Sequence, residues 1–138
     1  MRPLPEHLFV YGTLRRGMDS PMRTRMERDT TVVGPATLRG QLYDAGWHPA
    51  LVLDDAAESL VHGELVHLPH DKHRRRRLLS ELDHYEGVLH GPAEHLSLFH
   101  RVIADALYEG VLHATWVYVY ARDASRFTAI PDGTWRRA

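Results

Sequence analysis

Short β-prone runs cut by glycine and proline make up most of this chain, and they leave room for only one long helix. Residues 8–11, 31–33, 36–43 and 50–53 are each too brief for a long helix, and turn residues separate them: Gly12, Gly34-Pro35 and Gly46-Trp47-His48-Pro49. Segment 60–68 alternates in the manner of a half-buried strand, with Leu60, His62, Glu64, Val66 and Leu68 on one face, and Pro69 ends it. Two further strands are expected over 96–105 and 111–120, joined by a turn at Glu109-Gly110. The helix begins after Asp71, a fitting N-cap, and runs to Tyr85, with Leu78, Leu82 and Tyr85 at the spacing of a buried stripe. Gly87 follows as a C-terminal glycine, which puts Glu86 at the helix end. Segment 19–29, charged and containing methionine, reads equally as a helix or as a loop over the sheet.

At 138 residues the chain is expected to form one domain over 1–138, with a core at about 8–120 and a peripheral tail at 121–138. A net charge of −1 favours neither a polyanion nor a membrane surface, so no nucleic-acid partner and no membrane partner are expected. A small neutral or zwitterionic ligand fits better. Cysteine is absent, which excludes disulfides, thiolate metal ligands and a cysteine nucleophile. Any acid–base chemistry must use oxygen or imidazole. The first residues lack the apolar core of a signal peptide and no apolar run approaches transmembrane length, so a cytoplasmic location is expected.

Two places in this pattern carry chemistry. The apolar run Leu8-Phe9-Val10-Tyr11 enters Gly12-Thr13-Leu14, where backbone N–H groups leave the strand ladder and can converge on a carboxylate or a developing oxyanion. Gly12 permits either a positive φ or a close backbone approach. Glu86, at the negative end of a helix dipole, is expected to have a raised pKa, and burial would raise it further. By pattern alone a glutamate at a helix end is more often a solvated acid. Asp83, three residues earlier, reads as a helix-surface acid, Glu64 equally as a structural partner for Arg101 or Arg39 or as a catalytic group pointing into the barrel, and the shared strand face of Trp116, Tyr118 and Tyr120 as core packing.

Taken in order, Tyr11-Gly12-Thr13-Leu14, Gly40-Gln41-Leu42-Tyr43-Asp44, Gly46-Trp47-His48-Pro49-Ala50-Leu51, Val61-His62-Gly63-Glu64-Leu65-Val66, Leu82-Asp83-His84-Tyr85-Glu86-Gly87, His100-Arg101-Val102 and Trp116-Val117-Tyr118-Val119-Tyr120 resemble one family. It is the γ-glutamyl cyclotransferase-like superfamily, in the branch of γ-glutamylaminecyclotransferase, butirosin-type cyclotransferases and AIG2-like proteins. The resemblance runs from residue 8 to about 120. It implies an α+β fold, a small mixed β-barrel with flanking helices and a pocket at the barrel mouth. It implies a lyase-like transferase in which the α-amine of a γ-glutamyl group attacks its own γ-carbonyl, releasing 5-oxoproline and a free amine. Residue by residue, it implies Glu86 as general acid/base, Tyr11, Gly12, Thr13 and Leu14 as the loop that holds the glutamyl end, and Tyr118 as a substrate contact. No cofactor and no metal are implied. The family's glutathione-cleaving branches carry a different glycine loop, so Thr13-Leu14 points to γ-glutamylamine-type substrates.

The remaining signals are weaker. His67, His70 and His73 straddle Pro69 and have no thiolate beside them, so a metal site is not expected. Arg74, Arg75, Arg76 and Arg77 occupy four successive helix positions that cannot share a face, and they read as a solvated cluster. Two alternatives stay open at this point. One is a non-catalytic, ligand-binding AIG2-like protein, and the other is a tailoring enzyme of secondary metabolism that removes a γ-glutamyl protecting group. The identity of the leaving amine, and whether the chain is a monomer or a homodimer, are not legible here.

Overall fold

The strand β1 (His7–Val10) is four residues long, and everything else is built around it. Its period of two sends Leu8 and Val10 to one side and Phe9 to the other, and all three are buried. A strand with both faces apolar must be covered on both. In the computed structural model, which describes residues 3–136, one cover is a barrel interior and the other is a pair of helices.

The remaining elements are α1 (Pro21–Glu27), β2 (Thr31–Asp44), β3 (Pro49–Leu53), β4 (Leu60–His67), α2 (Lys72–Tyr85), a 3₁₀ turn (Gly91–Leu96), β5 (Phe99–Tyr108), β6 (Val111–Tyr120) and β7 (Thr128–Ala129). Five strands close into a ring in the order β2-β4-β1-β6-β5, with β5 returning to β2 through the pair Thr37↔Leu107. The β1–β6 pair is parallel and the others are antiparallel, so the barrel is mixed. β3 and β7 extend the far half of β2. Phe9, Leu38, Leu42, Leu51, Val61, Leu65 and Val117 pack inside, while Leu8, Val10 and Val66 meet Met22, Met26, Leu78, Leu79 and Leu82 from the helices. This is the α+β barrel with flanking helices that the resemblance implies.

The segment left open between helix and loop is the helix α1. Ser20 accepts a hydrogen bond from Arg23 N, and Pro21 stands at the first helical position. α2 has Asp71 as its N-cap, as the sequence predicts. Its buried stripe is Leu78, Leu79, Leu82 and Asp83, whereas Tyr85, expected in that stripe, is 44% exposed. The two runs read as separate strands, 31–33 and 36–43, are one strand, because a bulge between Val32 and Gly34 takes up the punctuation. In β4 the alternation misleads. Val61 and Leu65 point into the barrel with Gly63 between them, and Gly63 is glycine because a Cβ would lie 2.2 Å from Val10 O and 2.7 Å from the Phe9 ring. The expected face has its first residues, Leu60 and His62, exposed and its last, Val66 and Leu68, buried under the helices.

Of the segment expected at the periphery, 121–138, residues 128–135 pack back onto the barrel, and 137–138 lie outside the described residues. β7 pairs with Tyr43 and Asp44, Gly133 O accepts from His62 N at 2.8 Å, and Trp135 is 2% exposed within the barrel cluster. Trp135 is an apolar ring in an otherwise polar run, and it supplies interior volume that the short strands lack. No helix among the described residues is long and apolar enough to cross a membrane.

Candidate active site

At one end of the barrel the chain leaves β1 and turns away from its neighbours. The ladder with β4 ends at Val10, so the amides of Gly12, Thr13 and Leu14 lie beyond it. The turn is held from below: Arg15 N and Nε both donate to Gly12 O at 3.2 Å, and Ser20 Oγ donates to Thr13 O at 3.3 Å. Gly12 serves close approach and not a left-handed φ, since a Cβ on it would stand 3.0 Å from Pro49 Cγ. A cavity of about 380 Å³ opens over this loop.

The cavity brings together every site residue expected from the sequence: Tyr11, Gly12, Thr13, Leu14, Glu86 and Tyr118 all line it. Glu86 reaches it from the end of α2. That helix stops in a Schellman arrangement, with Gly87 at φ 72° donating to His84 O and Val88 N donating to Asp83 O, so Glu86 is its C-cap. The stop turns the carboxyl of Glu86 into an apolar wall, and burial pushes its pKa up to about 7. A group with that pKa exchanges a proton at neutral pH in either direction.

The other polar groups around Glu86 are pinned. The Tyr11 hydroxyl donates to Tyr118 O. Burial first, and then the nearby Glu86 charge, hold the Tyr11 phenol well above its ordinary pKa. The Tyr118 hydroxyl donates to Asp83 Oδ1 at 2.7 Å, and burial followed by that carboxylate keeps it protonated as well. Asp83 is thus no surface acid. It is 6% exposed, takes Arg101 Nε at 2.7 Å and Nη2 at 3.2 Å, and Arg101 in turn lies over the Trp116 ring at 4.3 Å. Arg101 is consequently not the partner of Glu64. Glu64 accepts from the backbone N–H of Arg16 at 2.5 Å, and Arg39 donates to Ala57 O at 2.9 Å.

Several lining residues were not singled out by sequence reasoning: Trp47, His48, Tyr85, Leu98 and Phe99. The available signal for Trp47 and His48 is the Gly46-Trp47-His48-Pro49-Ala50-Leu51 segment that carries part of the family resemblance. Tyr85 was assigned to the core because its spacing fits one, yet it sits in the final turn, where the stripe runs off the barrel. Its hydroxyl is 3.1 Å from Thr13 Oγ1, linking the helix end to the loop. Among the described residues no group of three or more His, Asp or Glu side chains is arranged to hold a metal ion.

The geometry therefore brings together, around a largely apolar cavity, one carboxyl whose pKa burial raises, two phenols fixed by hydrogen bonds, and the Gly12-Thr13-Leu14 loop beyond the β1–β4 ladder. A sequence model of the family described as gamma-glutamyl cyclotransferase, AIG2-like, matches residues 8–137. The gamma-L-glutamyl-butirosin B gamma-glutamyl cyclotransferase of Niallia circulans is 33% identical over 127 residues, which is 91% of this chain and 74% of that protein. The fold is shared with an AIG2-like protein from Mus musculus, at TM-score 0.67 and 22% identity over 97% of this chain and 90% of that one. It is shared also with YkqA from Bacillus subtilis, at TM-score 0.67 and 22% identity, where the match covers 96% of this chain but only 40% of YkqA.

Proposed function

The chain belongs to the gamma-glutamyl cyclotransferase, AIG2-like family, and from that premise we propose that it releases 5-oxoproline and a free amine from a γ-glutamyl amine or amide, with Glu86 as the general acid/base. The observation that carries this reading is a single half-buried carboxyl, with a pKa near 7, in the same cavity as the loop amides.

The reaction forms one bond and breaks one. The α-nitrogen of the glutamyl group bonds to its own γ-carbon, and the bond from that carbon to the amide nitrogen breaks. The attacking ammonium carries three hydrogens and the lactam nitrogen keeps one. The two that are shed convert the departing amide N–H into an ammonium group, so no water is consumed. Glu86 carries those protons one at a time, first as base and then as acid. The amides of Gly12, Thr13 and Leu14 hold the α-carboxylate and face the developing oxyanion, while Tyr11 and Tyr118 shape the pocket that folds the glutamyl chain into attacking contact. Asp83 acts through Tyr118 as a positioning residue. The reaction needs no cofactor, and a cytoplasmic enzyme handling small γ-glutamyl compounds belongs to the same reading.

The name of the Niallia circulans relative supports a second reading within this one, in which the amine is part of a larger natural product from which a γ-glutamyl group is removed. The test of the reaction itself is 5-oxoproline release, followed by mass spectrometry, from γ-glutamyl alkylamines, γ-glutamyl-ε-lysine and γ-glutamyl amino acids. Release by the parent and none by Glu86→Gln, with the far-UV spectrum unchanged, is the expected result; a Glu86→Gln variant with parental rates would overturn it.

A further inference from the structure

We propose that Trp47, His48 and Phe99 form the wall of a leaving-group subsite that takes an arylalkyl amine, one that carries a flat apolar ring and lacks a carboxylate. The inference deepens the cyclotransferase reading and rests on it for the placement of the glutamyl end.

The first observation is what the cavity lacks. Its lining includes neither arginine nor lysine, and its one carboxyl is Glu86. Arg15, adjacent to the glycine loop, has its guanidinium committed to Gly12 O and Trp135 O. Once the loop amides hold the α-carboxylate, a second carboxylate on the leaving amine would stand near Glu86 with no arginine or lysine in the lining to meet it. Amino-acid leaving groups are therefore disfavoured.

The second observation is what the cavity has. Trp47 lines it and is 84% exposed, a large ring left to water at the pocket rim. The turn that presents it is ordered: Gly46 N donates to Asp44 Oδ1 at 2.8 Å and Ala45 N to His48 O at 3.1 Å. The His48 ring sits 6.0 Å from Trp47 and 5.7 Å from Phe99, and Tyr120 backs both His48 and Phe99 at 6.2 and 5.6 Å. His48 Nδ1 lies 3.0 Å from Pro49 O, which fixes the ring as a donor there and leaves Nε2 as the free edge. Tyr85 lines the cavity from a different element and is 44% exposed. Aromatic rings on more than one element, around a cavity larger than a glutamyl group alone requires, form a slot for a planar apolar ligand.

The experiment compares three ligands, γ-glutamyl-ethylamide, γ-glutamyl-phenethylamide and γ-glutamyl-phenylalanine, the last two differing only in a carboxylate. Calorimetric binding to Glu86→Gln is measured beside 5-oxoproline release by the parent. The phenethylamide is expected to bind about threefold to tenfold more tightly than the ethylamide, the range of one aromatic pair, and more tightly than γ-glutamyl-phenylalanine. Trp47→Ala should bring the phenethyl-to-ethyl ratio close to one and Trp47→Phe should restore it; an exposed residue can be changed in this way without loss of the fold. Equal binding of the two amides, a ratio indifferent to Trp47, or preference for the phenylalanine compound would overturn the subsite. If no ligand yields 5-oxoproline while the binding preference holds, the cyclotransferase reading falls and the aromatic wall stands only as a binding site for the arylalkyl group.

Discussion

Glu86 is a carboxyl that the fold makes reluctant to ionise, and that has opposite consequences for activity and for stability. As the base it must be ionised, so kcat/KM is expected to rise with pH through about 7 and then level, as a pH profile of 5-oxoproline release would show. Stability runs the other way. Between the ordinary value of 4.5 and about 7 the folded protein holds a proton that the unfolded chain has lost, so stability falls as pH rises across that window. Glu86→Gln, neutral throughout, is expected to exceed the parent by about 1–3 kcal/mol in urea unfolding at pH 8 and to match it at pH 4. Asp83 is the contrasting acid, held by Arg101 Nε at 2.7 Å. Asp83→Asn leaves Arg101 half-buried without its partner and should cost about 3 kcal/mol in the same measurement. The place of Glu86 at a helix end was legible because its setting is local, a stripe followed by glycine, but by pattern alone it reads as a solvated acid, and the family resemblance is what singles it out. Asp83 was not legible, since its partners Arg101 and Tyr118 lie 18 and 35 residues away and nothing near it announces them.

At the scale of elements, α2 was legible because a cap, a stripe and a terminal glycine agree with one another. Its glycine stop also aims the site. Gly87→Ala would force a side chain into φ 72° and bring a Cβ to 3.2 Å from Leu98 Cβ, so a loss of about 1–2 kcal/mol is expected, along with a fall in 5-oxoproline release as Glu86 shifts. The shorter α1 gave no such agreement, and its Arg23 shows why. Arg23 is 5% exposed, and its Nε and Nη1 have no hydrogen-bond partner among the described residues. A charged residue in a buried helical position hides the helix from a reading by polarity. Arg23→Met, with similar helix propensity and no nitrogen to satisfy, is expected to leave thermal stability unchanged or raise it; a marked loss would reveal an interaction unaccounted for in this fold. The face of β4 was misjudged for the reverse reason. Its inward position is a glycine, and the Phe9 ring that fills the space is contributed by another strand.

For the molecule as a whole, the boundary of the core was the part least open to sequence reasoning. Barrel interiors are filled from several strands at once, and the contribution of Trp135 cannot be assigned until the closed ring defines the space it enters. Trp135→Ala should cost about 3–5 kcal/mol and lower the midpoint of a single unfolding transition that includes the tail. A tail that is peripheral would leave that midpoint in place. The parallel pairing of β1 with β6 has a temporal side too. During synthesis β1 waits for β6, 108 residues separating His7 from Thr115, and at ordinary translation rates that is roughly 5–20 s with one edge unpaired. Until residues 111–120 have been made, that edge of β1 has no strand to pair with.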